Sequence, residues 1–228
     1  MSRATSAAKR ATKTKRAVPA EATVSVVEYG RHRGARRLRL DATSWVDAGI
    51  EILVRESIEH VRIERIAVQL GVTKGSFYWH FKDRADLHTA ILDRWLQKAT
   101  IGVKERVERE RATASERLLR LLELPFWSPN AARSADLELA IRAWSRRSAL
   151  ARSAVSKVDG VRLDYLAGLY RDMGFTAEQA SMRAHLAYSF MRYLGQLHDI
   201  PEEEERRIIQ AGYECLVAPA GAARRSRR

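Results

Sequence analysis

Eleven consecutive residues, 71–81, constrain the fold of this chain more than any other stretch: Gly-Val-Thr-Lys-Gly-Ser-Phe-Tyr-Trp-His-Phe. They follow an amphipathic segment, residues 63–70, whose apolar positions recur at helical spacing. Gly71 can take the left-handed conformation that closes a helix, and the Thr73 hydroxyl can cap a second helix over residues 73–81. The pattern predicts two helices joined by a tight turn, the arrangement that places the second helix in the major groove of DNA.

The second helix carries two kinds of side chain. Phe77 and Phe81 are four residues apart, so they share one face and are expected to point into the core. The remaining side chains include a cation, hydroxyls, a phenol and an indole, which can contact phosphates and base edges. The candidate DNA-binding residues here are Thr73, Lys74, Gly75, Ser76, Tyr78, Trp79 and His80, joined by Lys82 and Arg84 at the start of the next helix, where phosphate binds well.

The motif resembles that of the TetR family of bacterial transcriptional repressors, Gly-Val-Ser/Thr-x-Gly-x-Leu/Phe-Tyr-x-His-Phe followed by a Lys-acidic pair and a Leu. The matching residues are Gly71, Val72, Thr73, Gly75, Phe77, Tyr78, His80, Phe81, Asp86 and Leu87. Arg84 stands where the family usually has Lys, so a phosphate contact is expected with altered geometry. The resemblance covers about residues 40–90 and implies a dimeric, all-helical regulator that binds a small molecule in its second domain.

The expected fold class is all-α, with an N-terminal three-helix helix-turn-helix domain followed by a helical ligand-binding and dimerisation domain. We divide the chain into a disordered basic arm (1–36), the DNA-binding domain (37–83), the ligand-binding and dimerisation domain (84–218) and a basic tail (219–228). A single long helix over residues 84–110, bent at Gly102, is expected to link the two domains. Pro125 and Pro129 bracket Phe126 and Trp127, which predicts a loop with apolar anchors.

Two surfaces of the second domain follow from the resemblance. Aromatic and polar residues are candidates to line a pocket for a mostly apolar small molecule: Trp95, Phe126, Trp127, Trp144, Tyr165, Tyr170, His185, Tyr188 and Arg192. Small and apolar residues of the last two helices are candidates for a dimer interface, although they can equally fill the core of one chain: Ala180, Ala184, Ala187, Met191, Leu194, Ile209, Tyr213 and Leu216.

The charge of the chain lies at its ends. The formal net charge is +13, and residues 1–40 hold eleven Lys or Arg against two Glu, while four Arg fall within residues 224–228. Basic segments beside a DNA-binding helix favour nucleic acid as the partner, because each neutralised phosphate releases counterions. Arg36 and Arg37, just before the first helix, are candidates to reach an adjacent minor groove. A solvated tail that aids solubility is the alternative.

Other functional classes have less support in the sequence. We find no glycine-rich phosphate loop, nucleophile elbow or metal-ligand spacing, so a helical enzyme is the least favoured reading and no cofactor or metal is expected. An architectural protein that coats DNA without reading its sequence remains open, since phosphate contacts need no code. The single Cys215 and the lack of an 18-residue apolar run predict a cytoplasmic protein without a membrane span.

Overall fold

Helices supply the regular structure of this protein, as the all-α prediction expects, in a computed structural model that describes residues 41–109, 111–128, 130–197 and 199–219. Helix α1 (Ala42–Arg55) is followed by a 3₁₀ turn (Ile58–His60), helix α2 (Ile63–Leu70) and a second 3₁₀ segment, Lys74–Trp79, which we call the recognition segment. These elements together form the head. The proposed arm, with Arg36 and Arg37, lies outside the described residues, as does the tail beyond residue 219.

The turn before the recognition segment agrees with the prediction at Gly71, where α2 ends, but not at Thr73, where the recognition segment begins. Gly71 takes the left-handed conformation, with φ 67°, and the Val72 amide closes the turn on the Ala67 carbonyl at 3.0 Å. The Thr73 hydroxyl, however, caps nothing; the Ser76 amide and hydroxyl both donate to the Thr73 carbonyl, at 3.1 and 2.7 Å. The segment is 3₁₀ rather than α, because a glycine followed by consecutive aromatic residues has low α-helix propensity.

The head is held together by stacked aromatic rings. Phe77 is fully buried, with its ring in edge-to-face contact with Trp45 (centroids 5.2 Å apart) and stacked on Phe81 (5.3 Å). Such pairs contribute about 0.5–1.5 kcal/mol beyond the burial of their apolar area. The prediction that Phe77 and Phe81 face inward is therefore confirmed.

The expected long helix over residues 84–110 is wrong as a continuous α-helix. Helix α3 (Arg84–Leu96), capped by the Asp83 carboxylate, gives way to a π-helical turn, Gln97–Ile101, before helix α4 (Gly102–Arg109). We call this turn the π segment. A π turn widens the backbone spiral and leaves the direction of the helix free to change there.

Five further helices form the part of the protein that we call the body: α5 (Ala114–Trp127), α6 (Ala131–Ser145), α7 (Ala149–Asp172), α8 (Ala177–Leu194) and α9 (Glu202–Val217). Helix α5 runs through Pro125 to Trp127, so the predicted Phe126–Trp127 loop is wrong. Proline is tolerated there because it lies in the last turn, where only one upstream carbonyl loses its donor. Thr176 and Gln179 form both bonds of a capping box at the start of α8.

Two apolar clusters organise these helices. One joins α1, α3 and the recognition segment to α6 and α7, and the other joins α4, α5, α7, α8 and α9. The first cluster therefore passes directly from the head into the body, so α6 and α7 pack on the helices that support the recognition segment. The proposed domain limits at residues 83 and 84 stay a prediction. None of the helices within the described ranges combines the length and apolarity needed to cross a membrane.

Candidate nucleic-acid interface and ligand cavity

The recognition segment presents large apolar groups to solvent. Trp79 is 87% exposed and Tyr78 is 55% exposed, while Phe77 between them and the core is fully buried. Val68 on the adjacent helix α2 is 82% exposed and extends the same kind of surface. Exposed aromatic and aliphatic groups on so short an element mark a contact surface for a partner. The other predicted residues that are exposed here are Thr73, Lys74, Gly75, His80 and Lys82, whereas Ser76 is half-buried.

The cations of this surface differ in how they are held. The Lys74 ammonium is ion-paired with Glu64 of α2. Lys82 is exposed and has no ion pair with any residue that the structure describes. The predicted phosphate contact of Arg84 is wrong. Its guanidinium donates to the Ile58 carbonyl at 2.7 Å and packs against the head instead of remaining free for phosphate.

A cavity of about 980 Å³ is bordered by α1 of the head, by α3, by the π segment and by helices α4 to α8. Its apolar wall includes Trp95, Val103, Leu121, Leu124, Leu137, Val161, Leu166 and Met191. Its charged side chains among the described residues are Asp47, Glu51, Arg94, Lys98, Lys104, Arg106, Arg133, Glu138, Arg162 and Arg192. The volume is at the upper end of the range of about 300–1,000 Å³ that is typical of small-molecule sites.

Four of the predicted pocket residues line this cavity: Trp95, Tyr165, Tyr188 and Arg192. The other five do not, and the structure corrects each of them. Phe126 and Trp127 continue helix α5, with the Arg206 guanidinium over the Trp127 ring. Trp144 packs against His88 and borders a different, smaller hollow, while Tyr170 is buried against Phe175.

His185 is the fifth of these, and it is solvent-exposed on α8, with its ring Nδ1 2.9 Å from the Ser181 carbonyl. It lies seven residues before Arg192, a spacing that places two residues on one helix face. Only Arg192 enters the cavity wall, because its longer side chain reaches across to helix α6.

A hydrogen-bonded group of polar side chains, which we call the Glu138 cluster, reaches one wall of the cavity. Its members Glu138, Arg162, Tyr188 and Arg192 line the cavity, and Arg142 and Asp159 bind to them outside the lining. Arg142, Arg162 and Arg192 donate to the Glu138 carboxylate at 2.7, 3.1 and 3.0 Å. Asp159 accepts from Arg142 at 3.0 Å and from the Tyr188 hydroxyl at 2.6 Å. Four guanidinium-to-carboxylate contacts thus converge from helices α6, α7 and α8.

The protonation states of the cluster follow from these contacts. Burial alone would raise the pKa of Glu138, but the guanidinium groups of Arg162 and Arg142 outweigh it and hold that pKa below its usual range. Asp159 behaves alike, since burial opposes its Arg142 and Tyr188 hydrogen bonds and the pKa is still lowered. Both carboxylates are therefore ionised at neutral pH and remain the counter-ions of the three arginines.

Arg162 connects this cluster to the helix that leaves the head. Its guanidinium also donates to the Ala99 carbonyl at 3.2 Å and to the Thr100 hydroxyl at 3.1 Å, both in the π segment. Thr100 is almost wholly buried. The same guanidinium lies 5.8 Å from the centroid of the Trp95 ring, near the end of α3.

Three polar atoms at the cavity wall lack partners within the described part of the chain, and one of them is the Nε of Arg94. The indole N–H of Trp95 and the hydroxyl of Tyr165 are buried there without a hydrogen bond. A buried indole N–H can only donate, so it requires an acceptor from outside the described residues. No group of three His, Cys, Asp or Glu side chains suited to a metal ion occurs in the described ranges.

The predicted dimer residues prove to be core residues of a single chain. Ala180, Ala184, Ala187, Leu194, Ile209 and Leu216 are buried in the second apolar cluster, and Met191 and Tyr213 pack against it. The alanines let α8 lie close to α7, which explains the small-residue spacing without a second chain. The face of α8 that remains exposed is a different one, with Met182 at 63%, Leu186 at 60% and Tyr193 at 56% exposure.

Sequence reasoning missed both Val68 and most of the Glu138 cluster. Val68 could have been found, because it falls outside the inward stripe of Ile63, Ile66, Ala67 and Leu70 on α2. Glu138 and Arg142 are spaced i, i+4, which in a sequence indicates a surface pair. Nothing in that spacing shows that the Glu138 side chain lines a cavity.

The geometry first defines a class: a helix-turn-helix head with an exposed recognition segment on a helical body that contains a cavity. Comparison with known proteins agrees with it. Residues 46–91 match the family described as bacterial regulatory proteins, tetR family. The HTH-type transcriptional regulator YwcC of Bacillus subtilis is 32% identical over 78 residues, covering 32% of this chain and 35% of that protein. Residues 46–91 are thus similar to that family, and the chain spans about a third of the length of this curated relative.

Solved structures extend the likeness of fold to the body. A transcriptional regulator of Saccharomonospora viridis, in complex with choline, has a TM-score of 0.64 and 20% identity, and covers 76% of this chain and 95% of its own. FadR of Bacillus subtilis, in complex with stearoyl-CoA, has a TM-score of 0.57 and 17% identity, with 77% and 97% covered. At these identities the likeness establishes the fold.

Proposed function

We propose that this protein is a transcriptional regulator that binds a palindromic DNA operator as a homodimer and is released from it by a small molecule in the cavity. The observation that carries the DNA-binding part is the exposed Tyr78–Trp79 pair on the head. Two apolar rings in solvent cost free energy until a partner surface covers them. Base edges, thymine methyl groups and phosphates supply such a surface in the major groove. Because its partner is DNA, we place the protein in the cytoplasm.

The homodimer is supported by the exposed face of α8. Met182, Leu186 and Tyr193 lie four and seven residues apart on one side of the helix, and all three are more than half exposed. An isologous interface buries the same face of both copies and also sets two heads at a fixed distance, as a palindrome requires. The interface residues proposed from the sequence are replaced here by this face.

Release by a ligand is supported by the position of the cavity. It borders the end of α3 and the π segment, so a molecule inside it contacts the helix that follows the recognition segment along the chain. The two structural relatives described above were solved with ligands of opposite charge, which supports a small-molecule site in such a body without specifying the ligand here. Coupling between such sites is typically about 1–3 kcal/mol.

The test is sequence-selective binding by the full chain. Operators selected from random duplexes, and the DNA flanking the gene itself, are compared with scrambled duplexes by fluorescence anisotropy at fixed salt. A regulator is expected to prefer an inverted repeat by about 10³-fold or more. Equal affinity for all duplexes would instead identify an architectural DNA-binding protein and would end this proposal.

Dimerisation has its own test in sedimentation equilibrium. Leu186→Glu is expected to yield a folded monomer, because a carboxylate would be buried without a partner in the interface. Leu150→Glu is the matched control, since Leu150 is also an exposed leucine (41%) but lies on α7 away from the α8 face. A dimer that survives Leu186→Glu would place the interface elsewhere.

A further inference from the structure

The charges around the cavity favour one sign of ligand. Of the described residues that line it, seven are Lys or Arg and three are Asp or Glu. A cavity with an excess of one charge concentrates ligands of the opposite charge, because its apolar walls screen poorly. A cationic ligand would be repelled by that excess of positive charge, whereas an anionic ligand would neutralise part of it.

The Glu138 cluster concentrates this imbalance at one place. Glu138 accepts from Arg142, Arg162 and Arg192, and Asp159 accepts from Arg142, so three guanidinium groups share two carboxylates and one positive charge is in excess. The side chains of Arg162 and Glu138 are only 20% and 16% exposed, so water does little to solvate the surplus positive charge. Buried guanidinium groups are most stable when each has a carboxylate or phosphate as partner.

Donors without acceptors occur in the same wall. The Trp95 side chain is 1% exposed and its indole N–H is unpartnered within the described residues, as is the hydroxyl of Tyr165. The Trp95 ring lies beside the Arg162 guanidinium. A ligand that forms hydrogen bonds with the Trp95 and Tyr165 donors must bring hydrogen-bond acceptors. A carboxylate or a phosphate has such acceptors, and an ammonium does not.

The rest of the cavity is suited to an apolar body. Leu121, Leu137, Val161, Leu166 and Met191 line it, and the volume of about 980 Å³ exceeds what a small inorganic anion would fill. Burial of apolar ligand surface against such walls stabilises binding. A ligand that fits this cavity therefore has an anionic end that accepts hydrogen bonds and an apolar remainder, so it is an amphipathic molecule.

Building on the proposed function, we propose that the cavity takes an amphipathic organic anion whose carboxylate or phosphate headgroup competes with Glu138 for Arg162 and Arg192. Arg162 is the residue through which the headgroup acts, because the same guanidinium holds the Ala99 carbonyl and the Thr100 hydroxyl of the π segment. A headgroup that draws Arg162 toward itself loosens those two bonds at the end of α3. The change in the cavity thereby reaches the helix that begins at the head.

The test uses the full chain and four probes of equal chain length: dodecanoate, dodecyl phosphate, dodecyltrimethylammonium and dodecanol. Binding is measured by isothermal titration calorimetry without DNA. The two anions are expected to bind, and the tighter of them identifies the headgroup. The cation is expected not to bind. Tighter binding of the cation or of dodecanol than of both anions would overturn the proposal.

Glu138→Gln supplies the decisive variant because the sign of its effect is specific. Removing the competing carboxylate is expected to tighten binding of the preferred anion by roughly tenfold, while Arg192→Gln weakens it by a similar factor. Arg152→Gln is the matched control, as Arg152 is an exposed arginine of α7 that lies outside the cavity lining and is expected to change nothing. Circular dichroism confirms that each variant is folded.

Two results contradict competition with Glu138. One is anion binding that is unchanged or weakened in a folded Glu138→Gln variant, and the other is unchanged binding in Arg192→Gln. The proposed regulatory function fails separately, by operator affinity. The anion could bind as expected while operator affinity stays constant at a saturating anion concentration. That result would support the proposed ligand class and would contradict the proposed release of DNA by this ligand.

Discussion

The head and the body each place side chains against the usual preference, and they do so in opposite ways. The head leaves Trp79 and Val68 in solvent although both are apolar. The body draws Glu138 and Arg162 out of solvent although both are charged. Each arrangement lowers the free energy of unfolding relative to a conventional placement. The comparison indicates where partners act: an apolar surface requires a partner that excludes water, and a buried charge surplus requires a partner that supplies opposite charge.

The largest expected effect tests the contrast within the head. Phe77→Ala is expected to lower the free energy of unfolding by roughly 3–5 kcal/mol, because it empties a fully buried aromatic site between Trp45 and Phe81. Trp79→Ala, two residues on, is expected to change it by no more than about 0.5 kcal/mol. Urea denaturation measures both, and equal shifts in the two variants would mean that the buried and exposed faces are wrongly assigned.

The next effect concerns binding alone. Tyr78→Ala and Trp79→Ala are each expected to weaken operator binding by about 1–3 kcal/mol, since each removes a contact made only with DNA. Trp127→Ala is the matched control, because Trp127 is also an exposed tryptophan (40%) but belongs to α5 in the body. Fluorescence anisotropy on a single operator measures the affinity of all three variants. A loss of affinity for Trp127→Ala as large as that for Trp79→Ala would contradict the assignment of DNA contact to the head surface.

A smaller effect is expected at the joint between the two regions. Burial and the nearby Arg84 charge lower the pKa of His88 to about 4, from 6.5, where its ring packs edge-on against Trp144 of α6. Because the folded state disfavours the protonated ring, the unfolded state takes up the proton first. His88 therefore stabilises the fold fully above pH 6.5, and this contribution is lost as the pH falls from 6.5 toward 4.

His88→Gln is expected to flatten the decline of stability over that range of pH. The comparison is made by urea denaturation at several pH values between 7 and 4, with His185→Gln as the control, since His185 is an exposed histidine of α8. Parallel pH profiles for wild type and His88→Gln would show that the head and α6 are not coupled through this ring.

The two regions also differ in how far sequence predicts them. In the head, short-range geometry decides: Gly71 must close α2, and a four-residue spacing must place Phe77 and Phe81 on one face. Three predictions for the head are wrong, namely the α geometry of the recognition segment, the Thr73 cap and a free Arg84, because each depends on contacts that the short-range spacing does not fix. The predicted surface residues are mostly exposed, and their contact with DNA stays a prediction.

In the body, long-range packing decides, and sequence alone is a weaker guide. Helix α6 carries apolar residues on several sides, so no stripe shows that Glu138 faces a cavity. The alanines of α8 permit close approach by any helix, and the structure uses them for α7 within the chain. The face that we propose for a second copy can be chosen only once the buried face of α8 is known.

The smallest expected effect distinguishes a phosphate contact from a base contact at the edge of the head. Lys82→Ala is expected to weaken binding to operator and scrambled duplexes by the same factor, and to reduce the slope of log affinity against log salt by about 0.9, the value for one phosphate. Lys82 is suited to this role because it is exposed and has no ion pair within the described residues. Lys157→Ala is the control, as Lys157 is an exposed lysine of α7 and is expected to leave the slope unchanged. A loss confined to the operator would instead mean that Lys82 reads a base, and the head surface would then extend beyond its two exposed rings.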